Sequence, residues 1–145
     1  MITFLTKTVI KISVDTLMDQ LVNALDKGGF VLSGITDYQQ VFREKLGIHF
    51  RKYKVMAVYI PHLYQEMLMM ESLTGIVLPC NITLLESSPG EVVVMSVNPT
   101  EIMVRDTQNA SMQNLAEEVN RRLDVVIASL QRGPANIPDL VTSWE

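Results

Sequence analysis

The sequence predicts an α+β domain of two layers, in which a mainly antiparallel sheet is backed by helices. Three observations indicate this class. Segments rich in Val, Ile and Thr alternate with segments of helical periodicity. Two of the strand segments adjoin across a short turn, as a hairpin requires. No internal repeat or linker divides the 145 residues, which is the length of one domain. The predicted order is strand, helix, strand, short helix, strand, helix, hairpin and helix.

The first helix is the best specified element of the N-terminal half. Residues 3–12 are rich in Thr, Val and Ile and predict the strand that precedes it. Ser13 suits a helix N-cap, and the glycine pair at 28–29 ends the helix. Residues 30–36 predict a second short strand. The helix stripe expected to face the core consists of Val14, Leu17, Met18, Leu21, Val22 and Leu25.

The middle of the chain predicts a short helix, a central strand and a longer helix. Asp37 suits the N-cap of the short helix, with Gln40 at capping-box spacing and Gly47 at its end. Residues 53–60 are almost continuously apolar, which predicts a strand covered on both sides or pressed into a subunit contact. Pro61 suits the first turn of the next helix. The side of that helix expected to face the core carries Leu63, Met67 and Met70.

The hairpin is predicted from residues 75–97. The turn chemistry at 86–90 separates a strand at 75–85 from its partner at 91–97, which ends at Asn98 and Pro99. One face of the first strand is expected to carry Ile76, Leu78, Cys80, Ile82 and Leu84. The opposite face is expected to carry Val77, Pro79, Asn81, Thr83 and Leu85.

The last helix shows an uninterrupted helical repeat of apolar residues before a C-terminal tail. We predict one domain over residues 1–133, followed by a tail at 134–145. The tail retains Leu140, Val141 and Trp144, so we expect it to pack on its own domain or on a second subunit. The repeat consists of Met112, Leu115, Ala116, Val119, Leu123, Val126, Ile127 and Leu130.

Composition excludes several classes of partner. The formal net charge is −4 and no cluster of Lys and Arg forms a basic patch, so we expect no nucleic-acid partner. The longest uncharged run, between Glu71 and Glu86, is too short to cross a bilayer, so we expect no membrane partner. The single cysteine fits a reducing compartment, and residues 1–13 lack the features of a signal peptide. We therefore expect a cytoplasmic location.

Four segments resemble a bacterial and archaeal family named domain of unknown function 302. They are GGFVLSGITDYQQVFREKLGI, YKVMAVYIPHLYQEML, GIVLPCNITLLE and EVVVMSVNPTEIM, and the resemblance as a whole runs from about Val9 to Met103. The resemblance implies a small sheet backed by helices, similar to the TATA-binding-protein class, and a homodimer. It implies no established activity. Many members carry Cys-Asn-Pro where this chain has Tyr59, Ile60 and Pro61, which argues against carrying over a dithiol chemistry.

Cys80 is the first candidate for a functional side chain. Exposed beside a positive group or a helix N-terminus, it would be a thiolate nucleophile, a sulfur carrier or a metal ligand. Free cysteine is also among the most buried residue types, and its apolar row favours a small core side chain. Pro79 keeps the functional interpretation open, because a proline places the strand at an edge, at a bulge or at its start.

The other candidates each have a structural alternative. His62 and Glu66 share a helix face and form half of a metal site, or an ordinary surface pair. Asp37 binds a ligand or caps a helix. The tyrosines and methionines line a pocket or pack in the core: Tyr53, Tyr59, Tyr64, Met67 and Met70. No glycine-rich phosphate loop, nucleophile elbow or His-Glu-x-x-His motif occurs.

These observations favour a homodimeric binding module with no catalytic residues, no metal and no cofactor. It would hold a small apolar or anionic ligand, or a protein, in a cleft between sheet and helices. The expected rim consists of Cys80, Asn81, Asp37, Tyr59 and His62. The alternative is a thiol-dependent enzyme or sulfur carrier that uses Cys80. A third hypothesis is a transition-metal site that joins His62, Glu66 and Cys80 across a dimer.

Overall fold

A computed structural model describes residues 5–103 and 110–130, with all their side chains except those of residues 5–7, 76–77 and 102–103. The predicted order of elements is confirmed, with two short helices added. The elements are β1 (Leu5–Ile10), α1 (Val14–Lys27), β2 (Val31–Asp37), α2 (Tyr38–Leu46), β3 (Tyr53–Tyr59), α3 (Pro61–Met70), α4 (Thr74–Val77), β4 (Cys80–Ser88), β5 (Glu91–Val97), α5 (Pro99–Met103) and α6 (Ala110–Ala128).

The five strands form one antiparallel sheet in the order β1-β5-β4-β3-β2. The predicted α+β class is therefore confirmed. β4 and β5 form the hairpin, whose turn includes Gly90 in the left-handed region at φ 79°. Among the described residues, β1 and β2 are the two edge strands, and β5, β4 and β3 lie between them.

The core lies between the sheet and the helices on what we call its inner face. Cys80, Ile82 and Leu84 of β4 point to this face, as the strand alternation predicts. On α1, Ser13 Oγ accepts from the Thr16 backbone N–H at 3.2 Å, which confirms the predicted cap. The buried residues of the two long helices are Val14, Leu17, Leu21 and Leu25 on α1, and Met112, Ala116, Val119, Leu123, Val126 and Ile127 on α6.

The opposite, outer face of the sheet is covered differently. α2 lies against it, because the ring of Tyr38 contacts that of Tyr53 on β3 at a centroid distance of 5.7 Å. At the β1 side, Val9, Leu85 and Val93 form a second, smaller buried cluster. The sequence predicted that β3 is covered on both sides or lies in a subunit contact, and within the chain only its inner side is fully covered. Its inner residues Met56 and Val58 are fully buried, whereas its outer residues are partly exposed.

The segment before β4 contradicts the predicted strand at 75–79. Residues Thr74–Val77 form the helical turn α4, and the strand begins only at Cys80. The Thr74 hydroxyl donates to the Met67 carbonyl at 3.3 Å, and the Leu78 N–H donates to the Thr74 carbonyl at 3.0 Å, which closes the turn. Pro79, after a cis peptide bond, has no N–H to pair and stands immediately before the strand. Cys80 is thus the first residue of its apolar row, not the middle one.

Two predicted core residues lie at the margins of their helices. Val22 of α1 is 41% exposed and Met70 of α3 is 43% exposed, while their stripe neighbours Leu21 and Met67 are fully buried. Each lies beside the buried stripe of its helix, where the sheet and the other helices do not reach it. The predicted tail at 134–145 lies outside the described residues, as do residues 131–133 at the expected end of the domain.

Candidate ligand-binding pocket

The five residues of the predicted rim lie on different faces of the sheet. Cys80 and Asn81 are the first two residues of β4, so their side chains point to opposite sides. Cys80 is buried on the inner face and only 7% exposed, whereas Asn81 is exposed on the outer face. A single ligand therefore cannot contact both side chains.

The surroundings of Cys80 are apolar and closed. The adjoining cavity has a volume of about 10 Å³, no more than the space of one water molecule. Burial raises the pKa of the Cys80 thiol to about 11. At neutral pH the group is a neutral thiol, whereas nucleophilic and metal-binding cysteines are thiolates. Its cavity is lined by Val58, Tyr59, Ile60, Tyr64, Met67, Leu78 and Val119.

Tyr59 lies on the Cys80 side and has a packing role there. Its ring contacts that of Tyr64 at a centroid distance of 5.5 Å. The Tyr64 hydroxyl donates to the carbonyl of Leu78 at 3.1 Å, which links α3 to the segment before β4. Tyr59, Tyr64 and Met67 therefore meet around Cys80, as the pocket hypothesis expected, but they leave no room for a ligand.

Asp37 and His62 occupy separate positions. Asp37 Oδ1 accepts from the backbone N–H of Gln40 at 3.1 Å, so it caps α2 as the sequence predicts. This bond is one half of the expected capping box, and the Gln40 side-chain nitrogen donates to Glu44 at 2.9 Å. His62 and Glu66 are both exposed on α3. Among the described residues, no three His, Cys, Asp or Glu side chains come close enough together to hold a metal ion.

An open pocket lies on the outer face between α2 and the sheet. Its volume is about 510 Å³, within the range of small-molecule sites. Four aromatic rings form its walls, with centroid distances of 5.6 Å from Tyr38 to Phe42, 5.0 Å from Phe42 to Phe50 and 6.4 Å from Phe50 to Tyr53. Val55, Asn81 and Thr83 line the pocket from the strands. Asn81 is thus the one residue of the predicted rim that contributes to this pocket.

The local sequence explains why these rings converge. The Asp37 cap sets Tyr38 as the first residue of α2, and Phe42 follows one turn later on the same helix face. Gly47 ends the helix at φ 65°, a left-handed conformation that glycine adopts without strain. The Gln39 side chain then donates to the Phe50 carbonyl at 3.0 Å and holds the returning loop against the helix.

The strand residues of the pocket follow from pairing register. Tyr53 and Val55 alternate on β3, and Val55 pairs directly with Thr83 of β4. Asn81 is two residues before Thr83 on the same face. The sequence analysis named Tyr53 and Asn81 as candidate site residues and placed Thr83 on the strand face of Asn81, but it named neither Phe42 nor Phe50 as a site residue. The i, i+4 spacing of Tyr38 and Phe42 is the signal that points to an aromatic helix face.

Charge is scarce in this pocket. Among its described lining residues there is no carboxylate, ammonium, guanidinium or imidazole group. Asn81 and Thr83 supply an amide and a hydroxyl, which donate and accept hydrogen bonds without charge. Flat apolar walls with a few polar groups are the usual composition of sites for small organic ligands.

The fold and the pocket define a class of protein: a small α+β protein with a five-stranded antiparallel sheet and an open aromatic pocket on one face. The chain belongs to the family described as domain of unknown function DUF302, whose sequence model matches residues 5–130. The resemblance seen in the sequence is therefore confirmed. No helix within the described residues is long and apolar enough to cross a membrane.

The fold is shared with a solved structure of the same family. The chain is similar to the crystal structure of an uncharacterized conserved DUF302 protein from Bacillus stearothermophilus, with a TM-score of 0.79 and 18% sequence identity. The alignment covers 90% of this chain and 100% of the other. A likeness at this identity shows the fold alone. Among curated proteins, none matches this chain.

Proposed function

We propose that the protein is a homodimeric binding module that holds a small, flat, uncharged organic ligand in the outer-face pocket. The observation that carries the proposal is the set of four aromatic rings around an open space of about 510 Å³. Aromatic faces favour stacking with another planar group. The ligand class is an aromatic or heteroaromatic ring that carries an amide, a hydroxyl or a carbonyl group.

Polar groups at the strand side of the pocket support an oriented ligand. Asn81 and Thr83 are on β4 at positions two apart, so both face the same space. The amide of Asn81 offers two donors and one acceptor, and the Thr83 hydroxyl offers one donor. An uncharged ligand fits better than the anionic one that the sequence left open, because the lining residues named above provide no cation to neutralise an anion.

The thiol-dependent alternative at Cys80 has less support. It requires a thiolate that a substrate reaches, yet the side chain is 7% exposed and burial raises the pKa of the thiol to about 11. The metal hypothesis needs Cys80 to meet His62 and Glu66, which are exposed on α3. A binding module without covalent chemistry therefore remains the better proposal.

The proposal is tested by titrating the full chain with benzamide and with indole, followed by NMR of the backbone amides. Benzamide combines a flat ring with an amide that matches Asn81. We expect saturable shifts at the amides of Val55, Asn81 and Thr83. Saturable shifts confined to another part of the chain, or no shifts with either probe up to its solubility limit, would overturn the proposal.

Two variants and a control sharpen this experiment. Phe42→Ala removes one wall and Asn81→Ala removes the amide, and each is expected to weaken benzamide binding about tenfold, or about 1.4 kcal/mol. Val125→Ala is the control, because Val125 is 60% exposed on α6 and lines no part of this pocket. Equal affinities for all three variants would place the probe elsewhere.

A further inference from the structure

Residues 31–50 form an arm that contains no buried side chain. The arm consists of β2, α2 and the following loop as far as Phe50, and each of its 20 residues is exposed or only partly buried. By contrast, α1 buries four side chains and α6 buries six. The most exposed apolar side chains of the arm are Val31 at 41%, Ile35 at 45%, Val41 at 36%, Leu46 at 64% and Ile48 at 46%.

Apart from the ring contacts of Tyr38, Phe42 and Phe50, such an arm has little of the usual source of folding free energy. Ordering a strand and a helix removes conformational entropy, which burial of apolar side chains normally offsets. A helix of nine residues is too short to be stable alone in water. Burial of the arm against another surface would supply the missing stabilisation.

The arm also presents an open sheet edge. β2 is the last strand of the sheet and pairs with β3 alone within the described part of the chain. Edge strands that avoid association usually carry lysines or prolines, and neither occurs in VLSGITD. The protective features are the charge of Asp37 at the end of the strand and a bulge between Leu32 and Gly34, where Ser33 Oγ donates to the Ala57 carbonyl at 3.1 Å.

We propose that this arm is the homodimer interface, in which two copies of β2 pair antiparallel about a two-fold axis. The proposal specifies the partner surface of the homodimer named above and does not depend on the ligand. Antiparallel pairing of identical strands requires an axis perpendicular to the sheet, so the two sheets join into one of ten strands. Both copies of α2 then lie on the same outer face.

The size and charge of the arm fit a second copy of the chain. Stable interfaces involve about 20 to 30 residues on each side, and the arm supplies 20. Its charged groups are two of each sign, with Asp37 and Glu44 against Arg43 and Lys45, so two identical arms carry no net repulsion. An extended peptide fits less well, because it would cover the edge of β2 and leave Leu46 of α2 exposed.

The interface places the ligand pocket beside the partner subunit. Tyr38, Phe42 and Phe50, which form three of the four aromatic walls, all belong to the arm. Docking of the second copy would therefore hold these rings in place.

Sedimentation velocity of the full chain over a range of concentrations tests this inference. We expect a wild-type dimer of twice the 16.3 kDa chain mass. Leu46→Glu and Ile35→Glu, both in the arm, are expected to raise the dimer dissociation constant about tenfold or more. The matched control is Val125→Glu, since Val125 is 60% exposed and Leu46 is 64% exposed. Val125 borders the groove between α1 and α6, a competing apolar surface, and its variant is expected to remain dimeric.

Hydrogen exchange of the wild-type chain gives a second measurement that needs no variant. Protection of the amides in 31–37 is expected to rise with protein concentration, while that of α6 stays constant. If neither arm variant weakens the dimer, or if Val125→Glu disrupts it instead, the arm is not the interface. The proposal of a homodimer is unaffected by that outcome. A wild-type monomer at every concentration, with no concentration-dependent protection, overturns the interface and the homodimer together and leaves the ligand proposal untouched.

Discussion

The inner face of the sheet and the arm of residues 31–50 differ in how their apolar side chains are used. On the inner face, residues such as Leu84 and Leu123 are at most 1% exposed and pack between the sheet and the helices. In the arm, Ile35 and Leu46 are 45% and 64% exposed. The buried thiol of Cys80 belongs to the first region, and three of the four aromatic walls of the pocket belong to the second. The chain's cysteine, a chemically reactive residue type, is thus buried in the core. The accessible pocket is instead lined by aromatic side chains.

The largest expected difference between the two regions is in the free energy of unfolding. Leu123→Ala should destabilise the protein by about 2 to 5 kcal/mol, because it leaves a cavity among packed side chains. Leu46→Ala, in the arm, should change the stability by no more than about 0.5 kcal/mol at low protein concentration. Urea denaturation of both variants measures the difference. Comparable losses would show that the arm is as well packed as the core, and the contrast would fail.

The second prediction uses the pKa of Cys80, which burial raises to about 11. In the unfolded chain a cysteine titrates near pH 8.5, so between that pH and about 11 only the unfolded state releases its proton. Stability should therefore fall with rising pH, by up to about 3 kcal/mol in total, since each pKa unit corresponds to about 1.4 kcal/mol. Below about pH 8 this contribution is constant.

The control for this prediction is Cys80→Ala, which lacks the titrating group. Its stability should fall less steeply than that of the wild type between pH 8.5 and about 11, whatever the absolute stability of the variant. Parallel pH profiles of the two proteins would mean that the thiol is not held protonated in the fold. Rapid alkylation of Cys80 in the native protein at pH 7 would contradict the same picture.

The two helix caps provide a smaller test of the contrast. Ser13→Ala removes the cap of α1, and Asp37→Ala removes that of α2. Each substitution is expected to reduce the stability of its helix by about 1 kcal/mol. Because α1 packs in the core, the loss at Ser13 should appear in the global unfolding free energy. The loss at Asp37 should appear mainly as faster hydrogen exchange in α2. Equal effects on global unfolding would show that the arm unfolds together with the core.

The smallest expected effect concerns an exposed ionic cluster on α6. Glu118 accepts from Arg121 at 2.6 Å and from Arg122 at 2.8 Å, and these hydrogen bonds hold the pKa of its carboxyl at about 2. The folded state has the lower pKa, so this stabilisation is present above about pH 4.3 and is lost as the pH falls toward 2. Glu118→Gln should therefore lose less stability than the wild type over that range, as followed by circular dichroism. The difference should be slight, because solvent and salt screen the cluster.

The sequence predicted the elements that local chemistry specifies. α1 has a cap and a glycine stop, and both are confirmed. Four of the six residues in its predicted stripe are buried, whereas Met18 is partly exposed and Val22 is exposed. The strand at 75–79 was wrong because the run of apolar residues has no feature that distinguishes a helical turn from a strand. Hydrogen bonds from Thr74 to Met67 and from Leu78 to Thr74 favour the helical turn over the strand. The first of these bonds depends on the position of α3, which the local sequence does not show.

The pocket was less predictable than the fold. Its walls come from α2, from the loop at Phe50 and from β3, and only tertiary packing brings them together. The alternation of β4 already separates Cys80 from Asn81, although both were placed on one rim. Asp37 caps α2, which is one of the two roles that the sequence left open for it, although it was also placed on the binding rim. The packing of residues 134–145 on the domain or on a second subunit remains a prediction, since these residues lie outside the described part of the chain.

Strand alternation in β4 has a consequence for how this protein can change over time. The side chains of Cys80, Ile82 and Leu84 pack in the core. Those of Asn81 and Thr83 line the outer-face pocket. Substitutions at the second set change the lining of the pocket without disturbing the first, so the pocket can diversify while the scaffold is retained. An insertion or deletion of a single residue within the strand would instead exchange the two sets beyond it and affect both at once. The lining of the pocket can therefore change by substitution far more readily than by changes in the length of this strand.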